Sequence, residues 1–234
     1  MWLHGFTQTR GSSHAFLSIL AGTREVLTID LPGHGRNAAT SASLPETADL
    51  LAEVLPATPF VLGGYSYGGR VALHFALAHR ERLSGLVLLS ATLGISDEQE
   101  RRARRTRDDS LADHLEVVGA DAFLGEWLAQ PLFAALPSDP AERAARSTDA
   151  RGLADSLRRS GTGTQRSLGD ALAAMDVATL ILAGSNDAKF VTEAYRLHDA
   201  LANSEVVLIE DAGHAAHLER PDEAAAAVLS HYPQ

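Results

Sequence analysis

A chain of 234 residues, 45% of them hydrophobic, can bury one substantial core and does not demand a second. A formal net charge of -10 argues against a general nucleic-acid binder, which needs a basic footprint, and the absence of cysteine excludes disulfides, thiolate metal sites and a cysteine nucleophile. No apolar run approaches the roughly 20 residues of a membrane span, and His4 and Gly5 interrupt the stretch where a secretory signal needs continuous apolar residues, so a soluble cytoplasmic protein is expected.

In chain order, Met1-Trp2-Leu3 is the only material for a strand before the loop His4-Gly5-Phe6, so the sheet is expected to be truncated at its N-terminal edge. Val26-Leu27-Thr28-Ile29 reads as the next strand, followed by the loop Asp30-Leu31-Pro32-Gly33-His34-Gly35, in which His34 reads as structural. Ser43-Leu44-Pro45-Glu46 has the form of a capping box with an early proline and opens a helix to about Leu55. Phe60-Val61-Leu62 is a strand, and Val71, Leu73, Phe75, Ala76 and Leu77 suit a helix over Arg70 to Arg80 packed on a sheet. Further strands are read at Leu86 to Leu89, Thr179 to Ala183 and Val206 to Ile209, with helices at Thr192 to Leu201 and Asp222 to Ser230. Continuous rather than alternating apolar character implies strands buried on both faces, hence a mostly parallel sheet flanked by helices in an α/β fold.

Between Ala91 and about Gly169 the alternation of strands and helices stops, and apolar residues recur at helical spacing among arginine, aspartate and alanine. This predicts a core of residues 1–91 and 170–234 with a helical insertion over 92–169. Because the insertion follows a strand near the ligand-binding end of an open α/β sheet, a lid is favoured over a separate helical subdomain.

The most informative stretch is Gly63-Gly64-Tyr65-Ser66-Tyr67-Gly68-Gly69-Arg70. A serine at a sharp strand-to-helix turn is held in a strained backbone, which survives only where the residues two before and two after lack bulky side chains, as Gly64 and Gly68 do. The pattern predicts a nucleophile elbow presenting the Ser66 hydroxyl. That hydroxyl is weak until a base takes its proton, so a histidine and an orienting carboxylate are needed. Asp187 follows the strand at Thr179 and His214 the strand at Val206, which gives Asp187 as the acid and His214 as the base. Each has a plainer reading alone, Asp187 as a turn or cap carboxylate and His214 as one of ten histidines. Their order at successive strand ends favours the triad. Charge developing on a substrate oxygen needs fixed donors, for which the backbone amides of Phe6 and Tyr67 are candidates, with His4 bracing the loop. His214 and His217 have a spacing two metal ligands could use, but no suitable third ligand follows and no metal is expected.

Arg101, Arg102, Arg104, Arg105 and Arg107 form a dense cluster among Glu98, Glu100, Asp108 and Asp109. Such a run reads equally as a solvated helix face or, where an arginine turns inward, as a receptor for a carboxylate. Arg70 follows Ser66 by one helical turn and shares its face, and Lys189 adds a further cation beside Asp187. These groups point to a small anionic substrate.

Together these residues resemble the α/β-hydrolase superfamily, and within it the 2-succinyl-6-hydroxy-2,4-cyclohexadiene-1-carboxylate synthases of menaquinone biosynthesis. The similar stretches are Leu3-His4-Gly5-Phe6, Asp30 to Gly35, Gly64 to Arg70, Trp127 with Gln130-Pro131-Leu132-Phe133, Asp187-Ala188-Lys189-Phe190 and Gly213 to His217. The resemblance implies a triad of Ser66, Asp187 and His214, an oxyanion hole of the Phe6 and Tyr67 amides, and a substrate pocket lined by Tyr65, Arg70, Arg104, Trp127, Arg146 and Lys189. It places Arg104 and Arg146 only by approximate register, so Arg102, Arg105, Arg143 and Arg151 stand as alternatives. It further implies a lyase without a cofactor, in which the serine acts as a base and pyruvate is eliminated from a polycarboxylated cyclohexene. The family has strands before the His4-Gly5 loop that this sequence lacks, which would leave the Val26 strand at a sheet edge. Two rival readings are a carboxylesterase or carbon-carbon bond hydrolase using an acyl-serine, and a non-catalytic binder; the intact Ser66, Asp187 and His214 argue against the latter.

Overall fold

The apolar runs form one six-stranded sheet in which every pairing is parallel, with helices on both faces. The computed structural model describes residues 1–55 and 57–233. In chain order the elements are β1 (Trp2–Leu3), α1 (His14–Ala21), β2 (Thr28–Ile29), α2 (Leu44–Val54), β3 (Phe60–Tyr65), α3 (Tyr67–Ala78), β4 (Leu83–Leu89), α4 (Glu98–Val118), α5 (Ala120–Leu128), α6 (Pro140–Ala144), α7 (Ala150–Ser160), α8 (Gly169–Leu172), β5 (Thr179–Gly184), α9 (Ala188–Ala200), β6 (Ser204–Ile209), α10 (Ala216–Glu219) and α11 (Pro221–His231). The strands lie in the order β2-β1-β3-β4-β5-β6. The chain moves outward from β1 to β2 and then crosses back to β3, so the order reverses between β1 and β3. Open α/β sheets bind ligands at the carboxyl ends of strands flanking such a reversal. Here those ends carry Phe6 and Ser66.

Successive residues of a strand point to opposite faces, and both faces are covered. Leu86 and Leu88 join Leu62, Val71, Phe75 and Ile181 in one apolar cluster, whereas Val87 and Leu89 join Trp2, Phe16, Leu180, Leu182 and Val228 in the other. This is why the strands read as unbroken apolar runs. Helix α2 starts as its sequence predicts, with the Ser43 N–H donating to Glu46 Oε2 at 2.7 Å and the Glu46 N–H to Ser43 Oγ at 3.5 Å. Among the described residues no helix is long and apolar enough to cross a membrane.

Helices α4 to α8 lie between β4 and β5. Leu111, Ala112, Leu115 and Val118 fall on one face of α4 and pack with Phe123 of α5 and Leu153 and Leu157 of α7, with half-buried Phe6 and Trp127 against them. The insertion thus has its own small core, and that core rests on the loop after β1.

Three features differ from the sequence reading. Helix α1 leaves no periodic signal in the sequence, because eight residues between Ser13 and Gly22 hold too few turns; its Phe16 and Leu20 are buried against the sheet. Strand β2 is confined to Thr28–Ile29 at the sheet edge, leaving Leu27 40% exposed. Helices α3 and α9 begin earlier than their apolar patterns, since each starts directly from a site residue, Ser66 or Asp187.

Candidate active site

Ser66 joins β3 to α3 at φ 50° and ψ -103°, a positive φ that side-chain-bearing residues rarely adopt. The turn needs its glycines: a Cβ on Gly64 would lie 2.4 Å from the Gly68 carbonyl carbon, and one on Gly68 would lie 2.3 Å from the Leu3 oxygen. The Ser66 N–H donates to the Leu89 oxygen at 2.8 Å, which ties the elbow to β4.

Two further strand ends deliver the partners. Asp187 stands at the start of α9, where Oδ1 accepts the Phe190 N–H at 3.3 Å, and its Oδ2 lies 2.9 Å from His214 Nδ1. His214 Nε2 is 3.2 Å from Ser66 Oγ. Asp187 and His214 are both buried. With Nδ1–H donating to the carboxylate, Nε2 is left as the acceptor for the serine proton. The histidine loop is fixed from both sides. Glu219, itself buried, accepts the Gly213 N–H at 2.5 Å and the Ala215 N–H at 3.0 Å, and the Ser90 hydroxyl donates to the His214 oxygen at 2.8 Å. The Phe190 ring packs on the imidazole at 4.3 Å between centroids.

The loop after β1 is braced by two buried imidazoles. His4 Nε2 accepts the Leu31 N–H at 3.0 Å while Nδ1 donates to the Gly5 oxygen at 2.9 Å. His34 Nε2 accepts the Thr7 N–H at 3.3 Å and Nδ1 donates to the Pro32 oxygen at 2.9 Å. Among the described residues neither the Phe6 nor the Tyr67 amide has a backbone acceptor, and both residues line the same cavity. Each His is neutral in these bonds, and burial holds His4 to about 4 and His34 to about 3, from an ordinary 6.5. His217, bonded through Nε2 to Ser13 Oγ at 3.0 Å, is held by burial to about 3. Below pH 6.5 the unfolded chain binds protons that these folded imidazoles refuse, so the stability present above that pH is lost as the pH falls. We expect the urea midpoint to hold near neutrality and decline as the pH falls from about 6.5 to about 3; a midpoint constant across that window would contradict neutral burial of the three rings.

Ser66 and His214 open onto a cavity of about 640 Å³. Tyr65, Arg70, Arg104, Trp127, Arg146 and Lys189 all line it, so the structure gathers every pocket residue named from the sequence. The arginine alternatives lie elsewhere: Arg102 pairs with Glu98, Arg105 with Asp109 and Arg143 with Asp121, all on the exposed surface, and Arg151 is exposed. The arginine cluster of α4 is therefore split: Arg104 and Arg107 line the cavity, Arg102 and Arg105 are solvated, and Arg101 is half-buried against Glu98. Arg104 Nε donates to Asp108 Oδ1 at 2.7 Å and Arg146 lies 3.8 Å from Glu142, whereas Arg70 has no carboxylate partner among the described residues. Its Nη1 is buried without an acceptor, and desolvation lowers the group to about 10. Tyr65 is pushed above its ordinary value by burial.

Several site residues escaped the sequence reading. Arg196 lies two turns after Lys189 and lines the same cavity, a helical spacing that could have found it. Ser90 reaches the His214 oxygen from a distant strand end, which no local pattern encodes, and Glu219, though close in sequence, holds the Gly213 and Ala215 amides through a turn that no motif marks.

The architecture agrees with the comparisons to known proteins. A model of the alpha/beta hydrolase family matches residues 1–227. The chain belongs to the alpha/beta hydrolase family. Within that family it is 36% identical over 234 residues to a candidate 2-succinyl-6-hydroxy-2,4-cyclohexadiene-1-carboxylate synthase of Bacillus subtilis, spanning 94% of this chain and 84% of the relative. It is 33% identical over 244 residues to the synthase of that name from Yersinia enterocolitica, spanning 100% and 86%. Among solved alpha/beta hydrolase structures, MenH from S. aureus superposes with a TM-score of 0.92 at 33% identity over 98% of this chain and 91% of that one. A thermophilic esterase from Thermogutta terrifontis, malate bound, gives 0.80 at 25% identity over 98% and 87%.

Proposed function

We propose that this enzyme is a cofactor-independent lyase that eliminates pyruvate from a polycarboxylated cyclohexene to give 2-succinyl-6-hydroxy-2,4-cyclohexadiene-1-carboxylate, the product named for its relatives. The observation that carries this reading is the cavity itself, where a Ser66-His214-Asp187 relay shares its space with the unpaired Arg70 and with Arg146 and Lys189. An esterase for simple neutral esters has no use for that concentration of positive charge.

The roles follow from the geometry. A product with a 2,4-diene bearing a succinyl group on C2 forms by loss of a proton from the ring carbon beside the succinyl carbonyl and departure of the leaving group across the ring. In the proposed step His214 Nε2 takes the Ser66 proton, the serine oxygen takes the carbon proton, and the electron pair shifts through the ring to expel pyruvate as its enolate. Negative charge gathers on the succinyl oxygen, which the Phe6 and Tyr67 amides receive in this proposal. Asp187 holds His214 in the tautomer that leaves Nε2 free and stabilises the imidazolium that forms. The arginines and Lys189 bind the carboxylates, and the helical insertion over 92–169 covers them as a lid.

The test is incubation with the succinyl-carboxycyclohexene precursor, with pyruvate followed by a coupled lactate dehydrogenase assay. Pyruvate release at enzymatic rates is expected. Folded protein that releases none, yet turns over p-nitrophenyl butyrate rapidly, would replace this reading with an esterase.

A further inference from the structure

Thr7 stands at φ 68°, in the left-handed region that a β-branched residue rarely enters, one residue after the proposed oxyanion donor Phe6. Strain of this kind persists only where the surroundings over-determine it. All three polar groups of Thr7 are engaged: its N–H donates to His34 Nε2 at 3.3 Å, its carbonyl accepts the Ser147 N–H at 2.8 Å and its Oγ1 accepts from Arg146 Nη1 at 2.7 Å. Two of those partners come from the segment between α6 and α7. Helix α6 and the residue after it grip the loop elsewhere, where Glu142 accepts the Gln8 side-chain amide at 3.0 Å and the Ser13 N–H at 2.7 Å, and Thr9 Oγ1 donates to the Ala145 oxygen at 2.5 Å. Arg146 is 6% exposed and lines the cavity, and its Nε has no partner, so one guanidinium both faces the substrate space and holds the threonine hydroxyl. Thr7 is fully buried and does not line that space.

We propose that Thr7 is a positioning residue whose hydroxyl, held by Arg146, fixes the Phe6 amide as an oxyanion donor, so that anion capture and oxyanion stabilisation are joined through one side chain. The inference rests on the reading of Ser66 and Phe6 given above. It predicts a defect in turnover rather than in binding, because Thr7 touches no substrate while the donor it orients acts on developing charge.

The experiment compares wild-type protein with Thr7→Val, which keeps the shape and loses the hydroxyl, Thr7→Ser, which keeps the hydroxyl, and Thr7→Gly, which accepts a positive φ without strain. Two rates are measured: kcat and KM for pyruvate release, and inactivation by a neutral p-nitrophenyl alkylphosphonate, which needs Ser66 and the oxyanion donors but offers no carboxylate to the arginines. Thermal melting reports folding, and Thr7→Gly guards against a Thr7→Val protein that fails to fold. Thr7→Val and Thr7→Gly are expected to lose about 10- to 100-fold in kcat and in phosphonate rate alike, with KM nearly constant, the scale of a misplaced donor; Thr7→Ser is expected to restore most of both. Reactive wild-type protein with equally reactive Thr7→Val and Thr7→Gly would overturn this inference alone. Wild-type protein inert to the phosphonate would overturn the reading of Ser66 and this inference with it. Phosphonate effects as expected without pyruvate release would support the positioning role and sink only the lyase reading.

Discussion

Ser66→Ala is expected to lower kcat for pyruvate release by roughly 10²- to 10⁴-fold, the range of a positioned proton-transfer group, while leaving KM little changed. The serine oxygen is the atom through which His214 reaches substrate, at 3.2 Å from Nε2. Without it the imidazole must act through a water that the protein does not orient. Some rate should survive, since the Phe6 and Tyr67 amides and the cationic cavity still favour the charge that develops in the transition state. A route through an acyl-serine would leave no comparable remainder, because the covalent bond could not form. Ser66 and His214 act as a unit, so the double variant Ser66→Ala/His214→Ala should be scarcely worse than either single one. Steady-state kinetics on the three proteins decide the matter, and a Ser66→Ala enzyme retaining a large share of wild-type kcat would remove the serine from the proton path.

Much of this was legible in the sequence because the elements that carry the site are also those with the strongest local signals. Strands buried on both faces leave unbroken runs such as Leu86-Val87-Leu88-Leu89, and the elbow leaves Gly64 and Gly68 around Ser66, since backbone packs where a Cβ would stand. The capping box at Ser43 is written in four consecutive residues and forms as written. What the sequence hides is the short and the distant. Helix α1 is too brief to show a period, and β2 keeps two residues of a four-residue apolar run because an edge strand has one neighbour to hold it.

The site divides along the same line. Serine, acid and histidine each follow a strand, and their order along the chain is visible before any coordinates are. The choice among the lid arginines is not, because it depends on which face of α4 meets the cavity, and that face is set by the packing of Leu111, Ala112 and Leu115 against α5 and α7 rather than by the arginines. The grip of the α6 to α7 segment on Thr7 joins residues far apart in the chain, and the clamp of Glu219 on the Gly213 and Ala215 amides, though local, matches no recognised motif, so the fold reveals both.

Arg70→Met is expected to move activity and stability in opposite directions. In the free protein Arg70 is 7% exposed, its Nη1 has no acceptor among the described residues, and the Tyr67 ring lies 5.7 Å from its central guanidinium carbon. Asp108 adds some attraction but is held by Arg104 at 2.7 Å and by the Gly163 N–H at 2.8 Å, and Arg104 itself repels. A desolvated charge without a full partner costs stability, and an apolar side chain of similar length removes that cost. The melting temperature of Arg70→Met should therefore rise. The same unpaired donor is what a substrate carboxylate would meet, and losing one partner of a buried charged pair costs about 2–5 kcal/mol, so kcat/KM should fall by roughly 30- to 5,000-fold. Arg70→Lys should recover only part of the loss, because an ammonium cannot make the two parallel bonds that a guanidinium offers a carboxylate. Calorimetry and kinetics on the same preparations test both halves. A lower melting temperature would make Arg70 a structural residue, and an unchanged kcat/KM would move the carboxylate subsite to Arg146 or Lys189; the opposed pair of changes is what a charge kept unpaired for a ligand must produce.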